Sequence, residues 1–313
     1  MPKKIVVCCD GTGNEFEKHN TNVVKIFEMV KKEPDVQVAY YDPGVGTFGN
    51  RKLGFIAGYG ITKNITDAYE YLMNRYEDGD QIFLFGFSRG AFTVRALAGM
   101  LRKCGLLHKG SNNLIEYAAN IYRGKNNAEL ATRFKETFAR PCPVHFIGVW
   151  DTVKALFPFS KIARFHDNYL NPEVTFAYHA VAIDERRKQY APELWLEDKP
   201  ISGQTIEQVW FAGVHSDVGG SYAEQGLADI ALKWMIEKAA ACGLEFDDCE
   251  LTKIHPDPLA MLHNSRGSFW KFLPPKTRTI QPGAKIHSSV FERKNSAAVK
   301  YDPPNLPGSF QKV

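Results

Sequence analysis

The chain has 313 residues, of which 44% are hydrophobic, so it is long enough to bury the core of a large globular domain. It contains no apolar run of about 18 residues or more, which excludes a predicted transmembrane helix. The formal net charge of +4 is small for this length, and no basic run or interleaving of basic and aromatic residues indicates a nucleic-acid partner.

Strand candidates alternate with helix candidates along the chain. In order, the predicted elements are a strand at residues 4–9, a helix at 22–32, a strand at 36–41, a glycine-rich loop at 43–60, a helix at 62–76, a strand at 82–85, a helix at 91–102, strands at 144–149, 174–182 and 208–213, and a helix at 227–242. This alternation predicts an α/β fold with a mostly parallel sheet and helices on both faces. From about residue 254 proline and glycine become frequent, and we expect irregular segments covering one edge of a single domain, residues 1–313.

The cysteines lack the spacing of a zinc site or of a small disulfide framework. Cys8 and Cys9 are neighbours on a predicted strand, so they should point to opposite faces as buried thiols. Asp10 interrupts the first apolar run and no small-residue cleavage site follows, so the N-terminus is predicted to be a strand, not a signal peptide. These features predict a cytoplasmic protein.

The stretch QIFLFGFSRGA at residues 81–91 carries the most specific motif in the chain. It contains Gly86, Ser88 and Gly90 in the pattern Gly-x-Ser-x-Gly, between an apolar strand candidate and a helix candidate. A serine at such a turn adopts strained backbone angles, and small neighbours relieve the crowding. The pattern predicts a nucleophile elbow at Ser88, the alternative being a plain strand-to-helix turn.

A serine nucleophile needs a histidine base and a carboxylate that orients it. Asp151 follows the strand candidate HFIGVW and His215 follows QVWFAGV, so both lie at strand exits after Ser88 in the order expected of an α/β-hydrolase. We therefore predict a Ser88–His215–Asp151 triad. Asp151 could instead cap a helix or form an Asx-turn, and His215 could be a turn histidine bonded to backbone.

Other residues compete for the same roles. Asp217 could supply the acid with His287 as the base, and His179 is a further candidate base. We favour Asp151 and His215 because each follows an unambiguous buried strand.

The loop at residues 10–14, DGTGN, is the second strong motif. Its glycines can turn consecutive N–H groups toward one point, which suits an oxyanion, so we assign Gly11 and Thr12 to an oxyanion and substrate loop. The other donor expected in an elbow enzyme is the N–H after the nucleophile, here that of Arg89. Alternatively, the loop is a tight turn capping a helix.

Several blocks together resemble one family, the former domain of unknown function that includes the first class of type VI secretion phospholipase effectors. The matching blocks are CCDGTGN (8–14), NTNVVKIF (20–27), YYDPGVGT (40–47), GFSRGAFTVRALAGML (86–101), GVWDTV (148–153), AYHAVAIDERRKQYAPELW (177–195), VWFAGVHSDVGGSYAE (209–224), GLADIALKWM (226–235) and KIHSSV (285–290), which together cover nearly the whole chain. The resemblance implies an α/β-hydrolase fold and, for secreted members, cleavage of phospholipid esters. It maps the triad onto Ser88, Asp151 and His215, and it adds export by a dedicated secretion system without a signal peptide as an alternative location.

These observations predict a serine hydrolase of carboxylic esters, with a lipid, phospholipid or small ester as substrate and with neither metal nor organic cofactor. Two alternatives remain open. One is a metal-dependent phosphoesterase built from Asp10, Asp151, His215 and Asp217, and the other is a binding module that keeps the fold without catalysis.

Overall fold

A computed structural model of the chain describes residues 2–11, 19–44, 55–124, 127–153, 169–197 and 202–313, and for residues 55–59, 268 and 269 it describes the backbone alone. The strands are β1 (Lys4–Cys9), β2 (Gln37–Asp42), β3 (Gln81–Phe87), β4 (Leu106–Leu107), β5 (Ala139–Arg140), β6 (Val144–Trp150), β7 (Val174–Ala182), β8 (Thr205–Phe211), β9 (Lys285–Ile286) and β10 (Gln311–Lys312). The helices are α1 (Asn22–Met29), α2 (Phe55–Arg75), α3 (Arg89–Cys104), α4 (Ile115–Arg123), α5 (Ala128–Phe138), α6 (His215–Gly219), α7 (Gly226–Ala241), α8 (Asp248–Leu251) and α9 (Ser288–Asn295). Short 3₁₀ helices lie at Asn112–Leu114, Lys188–Tyr190 and Ser268–Phe272.

Eight of the described strands form one sheet. Their order is β10-β9-β8-β7-β6-β3-β1-β2, and every neighbouring pair is parallel. The strands β4 and β5 form a separate antiparallel pair. The predicted fold class is confirmed: the chain has an α/β-hydrolase-like fold with a mostly parallel sheet.

Helices cover both faces of this sheet, because its central strands are apolar on both sides. One face packs against α2, α3, α4 and α5 through a buried cluster that includes Ile5 and Leu84. The other packs against α1 and α7 through a cluster that includes Val6. Alternate residues of β1 enter opposite clusters, so Cys8 and Cys9 are buried free thiols on opposite faces, as predicted.

Several predicted boundaries were wrong. Helix α1 ends at Met29, short of residue 32, because Val30 is extended. Helix α2 begins at Phe55, inside the predicted loop 43–60, of which residues 45–54 lie outside the described residues. The glycines at 58 and 60 lower the helix propensity there, but tertiary context overrides propensity. From residue 254 the chain is irregular up to residue 284 apart from one 3₁₀ helix, and then supplies β9, α9 and β10.

The ends of three central strands meet at one edge of the sheet. Ser88 follows β3, Asp151 follows β6, and the chain leaves β1 at Asp10, on the other side of β3. In the sheet, β2 lies on one side of β1, whereas β3 and the later strands lie on the other side. In a parallel sheet, such a change of direction leaves a crevice at the carboxyl ends of the strands. Helix α6, which begins at His215, follows β8 and reaches the same edge.

Candidate active site

Ser88 occupies the sharp turn between β3 and α3. Its backbone angles, φ 58° and ψ −119°, lie in a region that residues other than glycine rarely adopt. A Cβ on Gly86 would lie 2.6 Å from the carbonyl oxygen of Gly90, and a Cβ on Gly90 would overlap the carbonyl oxygen of Cys9. Both glycines are therefore packing requirements of this turn, which has the geometry of a nucleophile elbow.

His215 links the serine to a buried carboxylate. Its Nε2 lies 2.8 Å from Ser88 Oγ, and its Nδ1 lies 2.5 Å from Asp151 Oδ2. With its proton on Nδ1 the ring donates to Asp151 and accepts from the Ser88 hydroxyl, which is the arrangement a general base needs. The structure thus brings the three predicted residues into one hydrogen-bonded series, although Ser88 and His215 are 127 residues apart in the chain.

Asp151 is completely buried and is held by an arginine. Arg278 donates from Nη1 to Oδ1 at 2.6 Å and from Nη2 to Oδ2 at 2.9 Å, and the Ala182 N–H donates to Oδ1 at 3.0 Å. Burial alone would raise the pKa of Asp151, but the charge of Arg278 and the hydrogen bonds from His215 and Arg278 outweigh it. They hold the pKa of this carboxyl well below its usual range, so Asp151 stays ionised.

Burial has the larger effect on His215. It lowers the pKa of the imidazole below its ordinary value of 6.5, and the hydrogen bond and charge of Asp151 offset only part of this change. The histidine is therefore neutral at pH 7 and able to accept a proton.

A second buried carboxylate, Glu185, contacts the backbone of His215. It accepts the His215 N–H at 3.3 Å, and Ser265 Oγ donates to it at 2.9 Å. Arg187 donates to both of its oxygens, from Nε at 2.9 Å and from Nη2 at 2.8 Å. Glu185 therefore anchors the first residue of α6 and connects it to the segment around Ser265.

Aromatic rings pack against the imidazole. The Phe87 ring centroid lies 4.6 Å from that of His215, and the Tyr190 ring meets His215 edge-on at 4.9 Å. Tyr190 is in turn flanked by the Arg187 guanidinium, 3.5 Å from its centroid, and by the Trp270 ring at 5.8 Å. These rings give the neighbourhood of the base an apolar wall.

The loop after β1 is held by its own aspartate. Asp10 accepts hydrogen bonds from Gly11 N–H and Thr21 Oγ1, each at 2.6 Å, and from Tyr41 Oη at 3.1 Å. The Gly11 N–H that we expected to face Ser88 is thus engaged by Asp10, because the two are adjacent and the carboxylate folds back over the turn. Thr12 lies outside the described residues. The N–H after the nucleophile belongs to Arg89, the first residue of α3.

Asp217 has a different partner from the one considered in the sequence. Its carboxylate accepts the Val214 N–H at 3.0 Å, and its Oδ1 lies 2.6 Å from His263 Nδ1. It therefore closes the turn that begins α6, and the structure does not pair it with His287.

The two competing histidines are engaged away from Ser88. His287 Nδ1 lies 2.8 Å from Ser289 Oγ at the start of α9, and burial lowers the pKa of His287 to about 4. His179 Nε2 accepts the Thr152 N–H at 3.1 Å, while its Nδ1 lies 3.2 Å from Gln208 Oε1. Burial lowers the pKa of His179 to about 3, so this ring is a neutral structural group.

The three carboxylates of the alternative metal site do not converge. Asp10, Asp151 and Asp217 direct their carboxylates to different hydrogen-bond partners, described above. Within the described ranges, no group of three or more His, Cys, Asp and Glu side chains is arranged to hold a metal ion.

Comparison with known proteins identifies the family. A model described as "T6SS, Phospholipase effector Tle1-like, catalytic domain" matches residues 3–238. The chain belongs to this family. Membership supports a lipase or phospholipase function in general terms.

The chain is also similar to individual proteins. An uncharacterized protein of Saccharomyces cerevisiae, YEL023C, is 32% identical over 225 residues, which cover 60% of this chain and 32% of the yeast protein. A crystal structure of an uncharacterized protein from Pseudomonas aeruginosa has a TM-score of 0.55 at 17% identity, covering 82% of this chain and 49% of that one. The Tle1 effector bound to the VgrG spike of the type VI secretion system matches with a TM-score of 0.39 at 20% identity, over 71% of this chain and 52% of that one. The chain thus spans about a third of the yeast protein and about half of each solved chain.

Sequence reasoning missed the residues that contact Asp151 and His215 in this Tle1-like chain. Arg278 lies in the proline-rich segment beyond the matched residues, and nothing in its local sequence marks it as part of a site. Glu185 and Arg187 belong to the block IDERRKQY, whose charged residues can be seen in the sequence but do not indicate which groups they contact.

No helix in the described portion of the chain is both long and apolar enough to cross a bilayer.

Proposed function

We propose that this chain is a serine esterase that cleaves acyl esters of lipids, phospholipids among them, through Ser88, His215 and Asp151. The observation that carries the proposal is the hydrogen-bonded series from Ser88 Oγ through both ring nitrogens of His215 to Asp151. Family membership and the apolar wall beside His215 support a lipid substrate.

The proposed reaction follows from this geometry. Ser88 Oγ attacks the acyl carbonyl carbon while its proton passes to His215 Nε2, and the anionic Asp151 stabilises the imidazolium. His215 then protonates the leaving alcohol, which leaves an acyl-enzyme that water hydrolyses by the reverse proton path. We assign the Arg89 N–H as an oxyanion donor, because it follows the nucleophile at the start of α3.

A fluorophosphonate probe tests the proposal directly. We expect the wild type to be labelled at Ser88 without added metal, and Ser88→Ala to lose labelling and about 10³-fold or more of its ester turnover. Ser309→Ala, which removes an exposed serine in the C-terminal segment, is the control and should label normally. A folded Ser88→Ala protein with normal esterase activity would refute the proposed mechanism. Absence of labelling in the wild type would favour the binding-module alternative.

We further propose that the protein resides in the cytoplasm, supported by its six free cysteines, of which four are buried. The family description makes export by a type VI system the alternative. Cell fractionation with and without an active secretion system separates the two.

A further inference from the structure

One stretch of the C-terminal segment has an unusual charge pattern. Residues 258–291 contain no aspartate or glutamate, but they contain five basic residues: Arg266, Lys271, Lys276, Arg278 and Lys285. Arg278 is buried and forms an ion pair with Asp151, whereas Lys271 and Lys276 are exposed. Among the described residues no carboxylate lies within ion-pair distance of either lysine. The stretch therefore presents positive charge to solvent.

The same stretch exposes an aromatic side chain. Phe272 is 86% exposed, more than any other large hydrophobic side chain among the described residues. It lies at the end of the 3₁₀ helix Ser268–Phe272, next to Lys271 and followed by exposed prolines. An exposed aromatic ring beside exposed lysines would be complemented by a partner with an apolar interior and an anionic surface.

The stretch is held in shape before any partner binds. Arg266 Nη2 donates to the Leu273 carbonyl at 2.6 Å and to those of Trp270 and Lys271 at 3.4 Å each. The Lys276 N–H donates to the Arg186 carbonyl at 2.9 Å. A segment closed at both ends loses little conformational entropy when it binds.

It also lies close to the catalytic residues. The Trp270 ring stands 5.8 Å from that of Tyr190, whose edge meets His215 at 4.9 Å. A surface that receives Phe272 would therefore lie beside the proposed esterase site.

We propose that residues 266–276, which we call the docking segment, seat the enzyme on an anionic lipid surface, with Phe272 entering the interface and Lys271 and Lys276 facing the headgroups. This inference rests on the proposed function, because it states that the enzyme acts on its lipid substrate while that substrate is part of a membrane surface. A single exposed ring flanked by lysines suits a bilayer better than a protein partner, since a stable protein interface buries about 800 Å² per side. Basic residues near an anionic leaflet add to the attraction.

The test measures binding of the Ser88→Ala chain to vesicles of phosphatidylcholine alone or with phosphatidylglycerol, so that no lipid is hydrolysed. We expect binding to the anionic vesicles, weakened by salt. Phe272→Ser should lower the affinity about tenfold or more, because burial of that ring is lost. The double variant Lys271→Gln/Lys276→Gln should remove most of the preference for anionic lipid, at about fivefold per lysine.

Phe138→Ser is the matched control. Phe138 is 42% exposed at the end of α5, next to β5, and β5 pairs with β4 just beyond the far end of α3. Helix α3 starts directly after Ser88 and its 16 residues span about 24 Å, so Phe138 lies at the opposite end of that helix from the active site. Vesicle binding by Phe138→Ser should equal that of the parent protein.

Activity separates the docking proposal from the esterase proposal. With Ser88 restored, Phe272→Ser should reduce hydrolysis of vesicle phospholipid about tenfold more than hydrolysis of a soluble short-chain ester. Equal loss on both substrates, unchanged vesicle affinity of Phe272→Ser, or failure of the parent protein to bind any vesicle would overturn the docking proposal. Vesicle binding that depends on Phe272 in a protein without ester turnover would uphold docking and refute the esterase.

Discussion

The electrostatics of the site depend on one carboxylate between two partners. Asp151 shares its negative charge between His215 and the bidentate Arg278, and all three side chains are buried. Arg278 keeps the aspartate ionised, and its positive charge also opposes protonation of His215. In the proposed mechanism it is a positioning residue, because it acts on His215 through Asp151.

Removing that charge should change both stability and pH response. Arg278→Met leaves a buried carboxylate without its cation, so we expect a loss of about 3–5 kcal/mol in the free energy of unfolding. The pKa of His215 should rise, because the opposing charge is gone. As the pH falls, His215 should therefore become protonated, and activity should be lost, at a higher pH than in the wild type. Denaturant unfolding and a pH profile of kcat/KM measure the two effects.

Arg278→Lys is the control for this prediction, since it keeps the charge but not the bidentate fork. It should restore most of the pH profile and only part of the stability. A pH profile that is the same in Arg278→Met and the wild type would show that Arg278 has a structural role alone.

The wild-type pH profile is a separate prediction. The proposed mechanism needs neutral His215 in the free enzyme, and burial lowers the pKa of this residue below 6.5. Activity on a soluble ester should therefore rise with pH through a midpoint below 6.5 and stay high at neutral pH. Because Asp151 remains ionised across this range, its titration should not cause a second decrease of activity at acidic pH. A midpoint above 6.5 would contradict the burial argument.

At the scale of elements, the turn from β3 into α3 was predictable because its requirements are local. Gly86, Ser88 and Gly90 sit within five residues, and an apolar strand precedes them. The strand exits that carry Asp151 and His215 were equally visible, since each follows a buried run. The position of Arg278 was not, because its contact with Asp151 spans 127 residues of sequence and Arg278 itself lies in the irregular segment after α8. Fold class could be predicted from periodicity, whereas α4, α5, β9 and β10 could not.

The elbow should be intolerant of a methyl group at Gly90. An added Cβ would overlap the carbonyl oxygen of Cys9, so either β1 or α3 must move. We expect Gly90→Ala to lose about 3 kcal/mol or more of stability and most of its ester turnover. Gly308→Ala is the control, because a Cβ there meets nothing within 4 Å. Equal thermal unfolding temperatures for the two variants would refute this packing argument.

At the scale of the whole molecule, the family match ends before the sheet does. The matched residues 3–238 contain the triad, but β9 and β10 extend the same sheet beyond β8 and come from the last 30 residues. The segment that leads to them carries both Arg278 and the docking segment. We therefore propose that residues 1–313 form one domain, in which the C-terminal segment completes a site whose reacting groups lie elsewhere.

A chain that stops at residue 253 tests this view. It keeps every triad residue and all of the family match, but it lacks β9, α9, β10 and Arg278. We expect loss of ester turnover and a stability lower by at least about 3–5 kcal/mol, since Asp151 stays buried without its cation. A full-length protein cut by an engineered protease site after Lys253, in the turn beyond α8, controls for chain breakage. The cut protein should keep its two fragments together and remain active, because the parallel pairing of β8 with β9 and the Arg278 ion pair do not need a continuous chain. Full activity and unchanged melting of the truncated chain would show instead that the domain ends with the family match, and that Arg278 is dispensable.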